Sequence, residues 1–340
     1  MSRWAGDPER AAADLVERCL DAIGLKGRVL LANQASDRPA GLAGRGLKVA
    51  QWNRRLASTG GSKAMPWPPA GPFEVVLLRL PRAKDEQEMA AHACLSVLAP
   101  DGRLVVYGGN EEGIRPAATM LEGLCGAVET LAKRGHGRVL AVARPASTRL
   151  RASLSAWRSA GALQIGGQRR QWISYPGVFA AGRVDEGTAL LIGALPPLGE
   201  RARVLDYGCG SGLIGAAALW QSRCIALDAL DSDSVALEAV RQNLPSAHCV
   251  LGTSLGAVAA KRYDAILSNP PLHQGLAEDH TLVEHLMAVA PAHLLAGGLL
   301  QIVVQRRVPL ERRLAQHFAS VAIAAETSRY RVWRAYVGTK

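Results

Sequence analysis

Val204-Leu205-Asp206-Tyr207-Gly208-Cys209-Gly210-Ser211-Gly212 constrains the fold more than any other stretch of this chain. An apolar strand runs into three glycines at alternate positions, and Leu213 to Trp220 follows with helical composition. A strand, a tight glycine turn and a helix in that order open a doubly wound α/β sheet. Glycines there let a ligand approach the backbone, and the helix N-terminus favours electronegative groups. A glycine turn alone is a weak signal, because dinucleotide enzymes carry one too. Here an acid, Asp206, precedes the glycines at the strand end. That position suits a charged, amino-acid-like group better than a pyrophosphate.

A second strand, Cys224 to Leu230, ends at Asp231, 25 residues past Asp206. A carboxylate at that distance sits where a ribose-binding acid is expected. Asp228 competes for the role, but alternation points it with Cys224 and Ala226, and Asp231 lies at the strand's carboxyl end.

Further on, Tyr263 to His273 reads YDAILSNPPLH. The apolar strand stops at Ser268 and turns through two prolines, which fix φ and remove two backbone donors. What remains is the Asn269 carboxamide and proline carbonyls without ladder partners. Such a rim can accept hydrogen bonds from an exocyclic NH2 group. It is also compatible with a plain strand-to-turn junction.

The pattern occurs twice. Gly27 to Leu31 overlays Ala202 to Asp206 at an offset of 175, and Phe73 to Pro81 overlays Tyr263 to Pro271 at 190. Asp101 to Val106 and Gly297 to Val304 form a third pair, in the same order. Three elements in matching order indicate a duplication. The first copy has Leu31 for Asp206, Asn33 for Gly208 and Arg79 for Asn269, so it is expected to keep the fold without a ligand site. Residues 145–177 connect the copies, and Leu163 to Ile173 alternates around Gly166-Gly167 as a β-hairpin.

With 340 residues, 49% of them hydrophobic, the chain can bury two ordinary cores. Its net charge of +11 suits a polyanionic partner. Candidate phosphate contacts are Arg54-Arg55, Arg169-Arg170, Arg306-Arg307, Arg312-Arg313 and Arg329/Arg331/Arg334. For any single pair a solvated face is the simpler reading. Six scattered cysteines without a C-x-x-C pair read as reduced core residues of a cytoplasmic protein. Eight histidines show no ligand spacing, so no metal is expected. No run is long and apolar enough to predict a membrane span or a signal peptide.

D-x-G-x-G-x-G, a second-strand acid and a late N-P-P together resemble a class I S-adenosylmethionine-dependent methyltransferase acting on an amino nitrogen. The whole chain is similar to the guanine-N2 ribosomal RNA methyltransferases, above all the small-subunit rRNA methyltransferase C family. Pro176-Gly177-Val178-Phe179 with Asp185-Glu186-Gly187-Thr188, VLDYGCGSG, SNPPLHQG and Arg329 to Ala335 carry the resemblance.

The resemblance implies two tandem Rossmann-like methyltransferase domains, each a mostly parallel seven-stranded sheet. Residues 1–148 would be degenerate and support RNA positioning or folding; residues 149–340 would be catalytic. It implies S-adenosyl-L-methionine held by Asp206, Gly208, Gly210, Gly212, Asp231, Ser254, Asp185 and Thr188. Asn269 and Pro270 would orient the target amine, and Pro271, Leu272, His273 and Phe179 would contact the base. The partner would be ribosomal RNA or a ribosomal subunit, met by a monomer in the cytoplasm. Two departures stand out. Leu272 replaces the aromatic usual after N-P-P, which leaves Phe179 and Trp172 as the candidates for a stacking ring. Thr253-Ser254 replaces the usual Asp or Asn beside the adenine. The alternatives are a large-subunit rRNA guanine, an adenine N6, a protein glutamine, or a non-catalytic RNA-binding or assembly factor.

Overall fold

The computed structural model describes residues 14–34, 42, 45–56, 63–135, 137–145, 150–165, 167–179, 183–270 and 277–339. The chain divides into two compact units between Arg158 and Ser159. Residues 150–158, placed with the second domain by sequence, pack in the first. Arg151 N–H donates to His92 Nδ1 at 3.1 Å, and the Trp157 ring meets His92 edge-on.

The first unit holds β1 (Arg28–Ala32), β2 (Lys48–Trp52), β3 (Phe73–Arg79), β4 (Leu98–Gly109), β5 (Glu129–Arg134) and β6 (Gly137–Ala143). Their order is β2-β1-β3-β4-β6-β5. The first four strands run parallel, and β6 is antiparallel to both β4 and β5. β1 and β3 read as continuous apolar runs because both sheet faces are covered. Alternation splits them into two cores, with Leu30, Val76, Leu78 and Leu104 on one face and Val29, Leu31, Leu77 and Val105 on the other.

The second unit begins with a hairpin of β7 (Ser159–Ile165) and β8 (Gln168–Ser174). Its main sheet comprises β9 (Arg203–Tyr207), β10 (Ala226–Asp231), β11 (His248–Leu251), β12 (Tyr263–Ser268), β13 (Leu294–Gln305), β14 (Ser320–Glu326) and β15 (Tyr330–Tyr336). The order is β11-β10-β9-β12-β13-β15-β14, with only β15 antiparallel to its neighbours. Strand order reverses at β9, between β10 and β12. In open α/β sheets the ligand crevice lies at the carboxyl ends on either side of that reversal.

The two sheets share one plan, and β1 and β9 align residue for residue at the offset of 175. Seven strands were expected in each, but the first sheet has six among the described residues. Among the described residues the place of β11 is marked by a single parallel bridge, Asn53 to Ala64. The segment after it, Met65 to Pro72, carries four prolines, which cannot donate to a ladder.

Degeneracy of the first copy is visible at its strand ends. Asn33 has φ 57°, against 70° at the matching Gly208. Each donates its N–H 2.8 Å to the neighbouring strand, to Trp52 O and Leu230 O respectively. The turn's backbone survives, with a side chain where the second copy has none. Arg79, in the place of Asn269, pairs with Glu112 at 2.6 Å. Arg54 and Arg55 both pair with Glu86, and Arg54 is only 1% exposed. Arg54 is therefore no phosphate contact; it is buried against Glu86.

Candidate active site at the strand-order reversal

Gly208, Gly210 and Gly212 adopt φ of 70°, 52° and 91°, the left-handed region that favours glycine. Gly208 and Cys209 N–H both donate to Leu230 O, at 2.8 and 3.1 Å. Gly210 N–H donates to Asp231 Oδ2 at 2.8 Å, so the turn and the acid of β10 are locked together. A Cβ on Gly208 would meet nothing within 4 Å, whereas one on Gly212 would lie 2.9 Å from Leu244 Cδ1. The first glycine thus faces open space, and the last lets Val240 and Leu244, at the end of the helix Ser234–Asn243, pack against the turn.

Asp206 ends this approach from below. It is 0% exposed, and its Oδ2 accepts from Gly215 N at 2.8 Å. Its Oδ1 has no hydrogen-bond partner among the described residues. Burial pushes its carboxyl up to about 7; the Gly215 N–H opposes this and the nearby Asp231 charge adds to it. A buried carboxylate with an unpartnered oxygen is an acceptor that a ligand's ammonium group would complete.

Asp231 Oδ1 accepts from Asp233 N at 2.9 Å at the end of β10. Asp228, its competitor, is engaged elsewhere, with Lys261 Nζ at 2.8 Å, Tyr263 Oη at 2.6 Å and His248 Nδ1 at 3.0 Å. Ser254 is half-buried and opens the short turn Leu255–Val258 after β11, beside the β10 end.

Asn269 follows β12, whose end is pinned by Ser268 Oγ donating to Tyr207 O at 2.9 Å. The Asn269 Nδ2 group donates to Thr188 Oγ1 at 2.9 Å and to Asp185 Oδ1 at 3.3 Å. Asp185 is the N-cap of the helix Glu186–Gly193 and also accepts from Gly187 N and Thr188 N. Sequence reading gave Asp185 and Thr188 to the cofactor; their observed bonds run to Asn269. Asp185 Oδ2 is buried and unpartnered among the described residues. With both amide donors committed, the Asn269 carboxamide has its Oδ1 left as an acceptor.

Pro270 is buried. Pro271, Leu272 and His273 lie outside the described residues. Phe179 is 40% exposed and borders the glycine turn, with its Cβ 3.7 Å from where a Gly210 Cβ would stand. Trp172, the other candidate ring, is 3% exposed and donates Nε1–H to Ser211 Oγ at 3.0 Å. It is not available to stack on a base.

The arginines near the C-terminus support the site rather than stand free. Arg329 pairs with Glu186 at 2.9 Å, Arg331 with Glu326 at 2.8 Å, and the Tyr330 ring packs on Gly187. Arg334 donates Nε–H to Gln301 Oε1 at 2.8 Å and Nη2–H to Ala194 O. Gln301 Nε2 donates to Leu191 O and Ala194 O. A guanidinium and a buried amide thus cap the C-terminal end of the helix whose N-terminus holds Asn269. Gln301 was missed by sequence reading. Its signal was a single polar residue inside the apolar run Leu299 to Val304. Arg306 and Arg313 pair with Glu326 and Glu284.

Among the described residues no group of three or more potential metal ligands occurs, and no helix is long and apolar enough to cross a membrane. The Methyltransferase small domain family matches residues 169–334, and its N-terminal domain family matches residues 15–141. Ribosomal RNA small subunit methyltransferase C of Shewanella halifaxensis is 32% identical over 77% of this chain and 76% of its own length. The protein of the same description from Alcanivorax borkumensis is 30% identical over 79% and 82%. The solved T. thermophilus 16S rRNA N2 methyltransferase, in complex with AdoMet and guanosine, superposes with a TM-score of 0.83. It is 24% identical and is covered to 93% by 98% of this chain, a likeness of fold. On sequence across both units, and on the matching fold, the chain belongs to the ribosomal RNA small subunit methyltransferase C family.

Proposed function

We propose that this protein transfers a methyl group from S-adenosyl-L-methionine to the exocyclic N2 amine of a guanine in small-subunit ribosomal RNA. The observation that carries the reading is the fixed Asn269 carboxamide beside the glycine turn, with its acceptor oxygen left over. S-adenosylmethionine supplies an activated methyl on a sulfonium centre. The residues present fit it: Asp206 Oδ1 for the ammonium, Gly208 for close approach, and Asp231 with Ser254 for the nucleoside. Asn269 Oδ1 and the Pro270 carbonyl accept the amine hydrogens and orient its lone pair. Positioning does most of the work, since transfer from a sulfonium needs no strong base. A guanine stacked in a helix must first be flipped out, and Phe179 is the exposed ring available to receive it. Within this reading the protein acts in the cytoplasm, and every residue invoked comes from one chain.

Incubating small and large ribosomal subunits and their naked rRNAs with isotopically labelled S-adenosylmethionine tests the assignment. Mass-spectrometric mapping should find N2-methylguanosine in the small-subunit RNA. Label confined to large-subunit RNA, adenine or protein would overturn it.

The first copy provides a control. Arg79→Ala breaks an almost buried ion pair and leaves Glu112 only the Gly109 N–H and Arg82 at 4.0 Å, at a cost of about 1–3 kcal/mol in urea unfolding. Affinity for S-adenosylmethionine in calorimetry should not change, because the first copy has Leu31 in the place of Asp206 and Asn33 in the place of Gly208. A loss of affinity would place the cofactor in the first copy.

A further inference from the structure

A second recess in the catalytic unit lies away from the glycine crevice. It is a cleft of ≈ 560 Å³ between the β8 strand and the C-terminal ends of the helices Leu213–Gln221 and Ser234–Asn243. Arg170, Trp172, Trp220, Arg223, Asn243 and Ser246 are among its lining residues, and none of the lining residues is a carboxylate. The volume falls within the roughly 300–1,000 Å³ typical of ligand sites. The Arg170 guanidinium lies over the Trp220 ring, 4.9 Å from its centroid. Arg170 and Arg223 are exposed, and Trp220 is half-buried.

We propose that this cleft binds a single-stranded nucleotide segment of the RNA substrate. The inference rests on the rRNA reading above and adds a contact surface to it. Three features point to RNA rather than to another ligand. The Arg170 guanidinium over the Trp220 ring extends a flat π surface, and a base of any sequence can stack on such a surface. Two arginines on one rim supply forked donors for phosphate. Asn243, Ser246 and the carbonyl groups at two helix ends offer polar contacts for ribose hydroxyls and base edges.

The cleft is also mechanically joined to the cofactor turn. Trp172, in its wall, donates to Ser211 Oγ, and Asn243 Nδ2 donates to Ser211 O at 3.1 Å and Ile173 O at 2.9 Å. Ile173 N–H donates back to Asn243 Oδ1 at 2.8 Å. A strand seated on Arg170 and Trp220 is therefore held at a fixed place relative to Gly210 and Gly212. That suits a surface that anchors RNA flanking the target nucleotide.

Fluorescence anisotropy of the full-length protein with a short fluorescein-labelled single-stranded RNA, read across a salt series, tests the proposal. Arg170→Gln/Arg223→Gln should weaken binding roughly tenfold and lower the slope of log affinity on log salt by about 1.4, at ~0.7 per phosphate lost. Trp220→Leu should weaken binding about fivefold or more with the slope unchanged, because a lost stack releases no counterions. S-adenosylmethionine affinity in calorimetry should stay at the wild-type value in both variants. Arg223→Gln alone, at an exposed position, should lower the slope by about 0.7 even if the double variant folds poorly. Variants that match wild type in affinity and slope would overturn the proposal and leave the methyltransferase reading intact. So would a polyglutamate peptide that displaces the RNA from wild type but not from the double variant while S-adenosylmethionine stays bound, since the cleft would then serve acidic protein. Wild-type protein that shows these slopes but methylates no guanine would instead sink the function and leave the cleft as an RNA site.

Discussion

Asp206→Ala and Gly208→Val should each weaken S-adenosylmethionine binding by about a hundredfold or more, the scale for truncating one partner of a buried charge pair. Both proteins should remain folded. In Asp206→Ala the reason is that Oδ1 has no partner in the protein and the carboxyl is pushed up to about 7, chiefly by burial. The group costs stability when ionised, which offsets the loss of its bond from the Gly215 N–H, worth about 1 kcal/mol. For Gly208→Val an added Cβ meets no neighbour within 4 Å, but the branched side chain stands at φ 70° and in the ligand's approach. The sign of the pH effect follows from the raised value. Stability from protonated Asp206 is fully present below the ordinary carboxylate range and is lost as pH rises through about 7. Urea midpoints of wild type should therefore fall between pH 5 and pH 8 (roughly the titration window) by more than those of Asp206→Ala. Cofactor affinity should move the other way. It should rise about tenfold per pH unit below the Asp206 value, because only the ionised carboxylate pairs with an ammonium. Unchanged calorimetric affinity in both variants would remove the cofactor assignment.

Much of this was legible because it is local. Val204 to Gly212 and Tyr263 to Asn269 each lie within one strand and its turn, so burial on both faces and the glycine and proline constraints show directly in the residues. The duplication was legible for the same reason, and β1 and β9 align without a gap. What escaped depends on pairing across long stretches of chain. Asn269 finds Asp185 and Thr188 more than 80 residues away, and Gln301 reaches a helix end 107 residues upstream. No periodicity encodes such contacts. Trp172 and Arg54 escaped differently. An aromatic or a cation in sequence does not reveal whether its polar end finds a partner inside, and here Ser211 accepts from Trp172 and Glu86 pairs with Arg54. That the first sheet has six strands among the described residues was not legible either, since a duplicated plan predicts equal sheets.

Asn269→Ala should separate binding from chemistry. Its carboxamide lies at the end of β12, not in the glycine turn, and no described bond joins it to Asp206 or Asp231. Affinity for S-adenosylmethionine should therefore stay within about a few-fold of wild type, well under the ~1.4 kcal/mol of a tenfold change. Methyl transfer in a single turnover should fall by roughly two or more orders of magnitude, the scale for losing a preorganised hydrogen-bond partner of the transition state. The geometry predicts a graded series below that. Thr188→Val removes the 2.9 Å acceptor and leaves Asn269 Nδ2 only the 3.3 Å contact to Asp185. The amide then loses most of what fixes its orientation, and turnover should drop about tenfold, one hydrogen bond's worth at ~1–1.5 kcal/mol. Asn269→Asp should be nearly as damaging as alanine, for a different reason. It puts a second carboxylate against Asp185 and removes both donors, so the side chain turns away from its helix. Raising the RNA concentration should not rescue Asn269→Ala, because the defect lies in orienting a bound amine. Wild-type turnover in Asn269→Ala, or rescue by more RNA, would discard the amine-orienting role and leave N-P-P as a strand-to-turn junction.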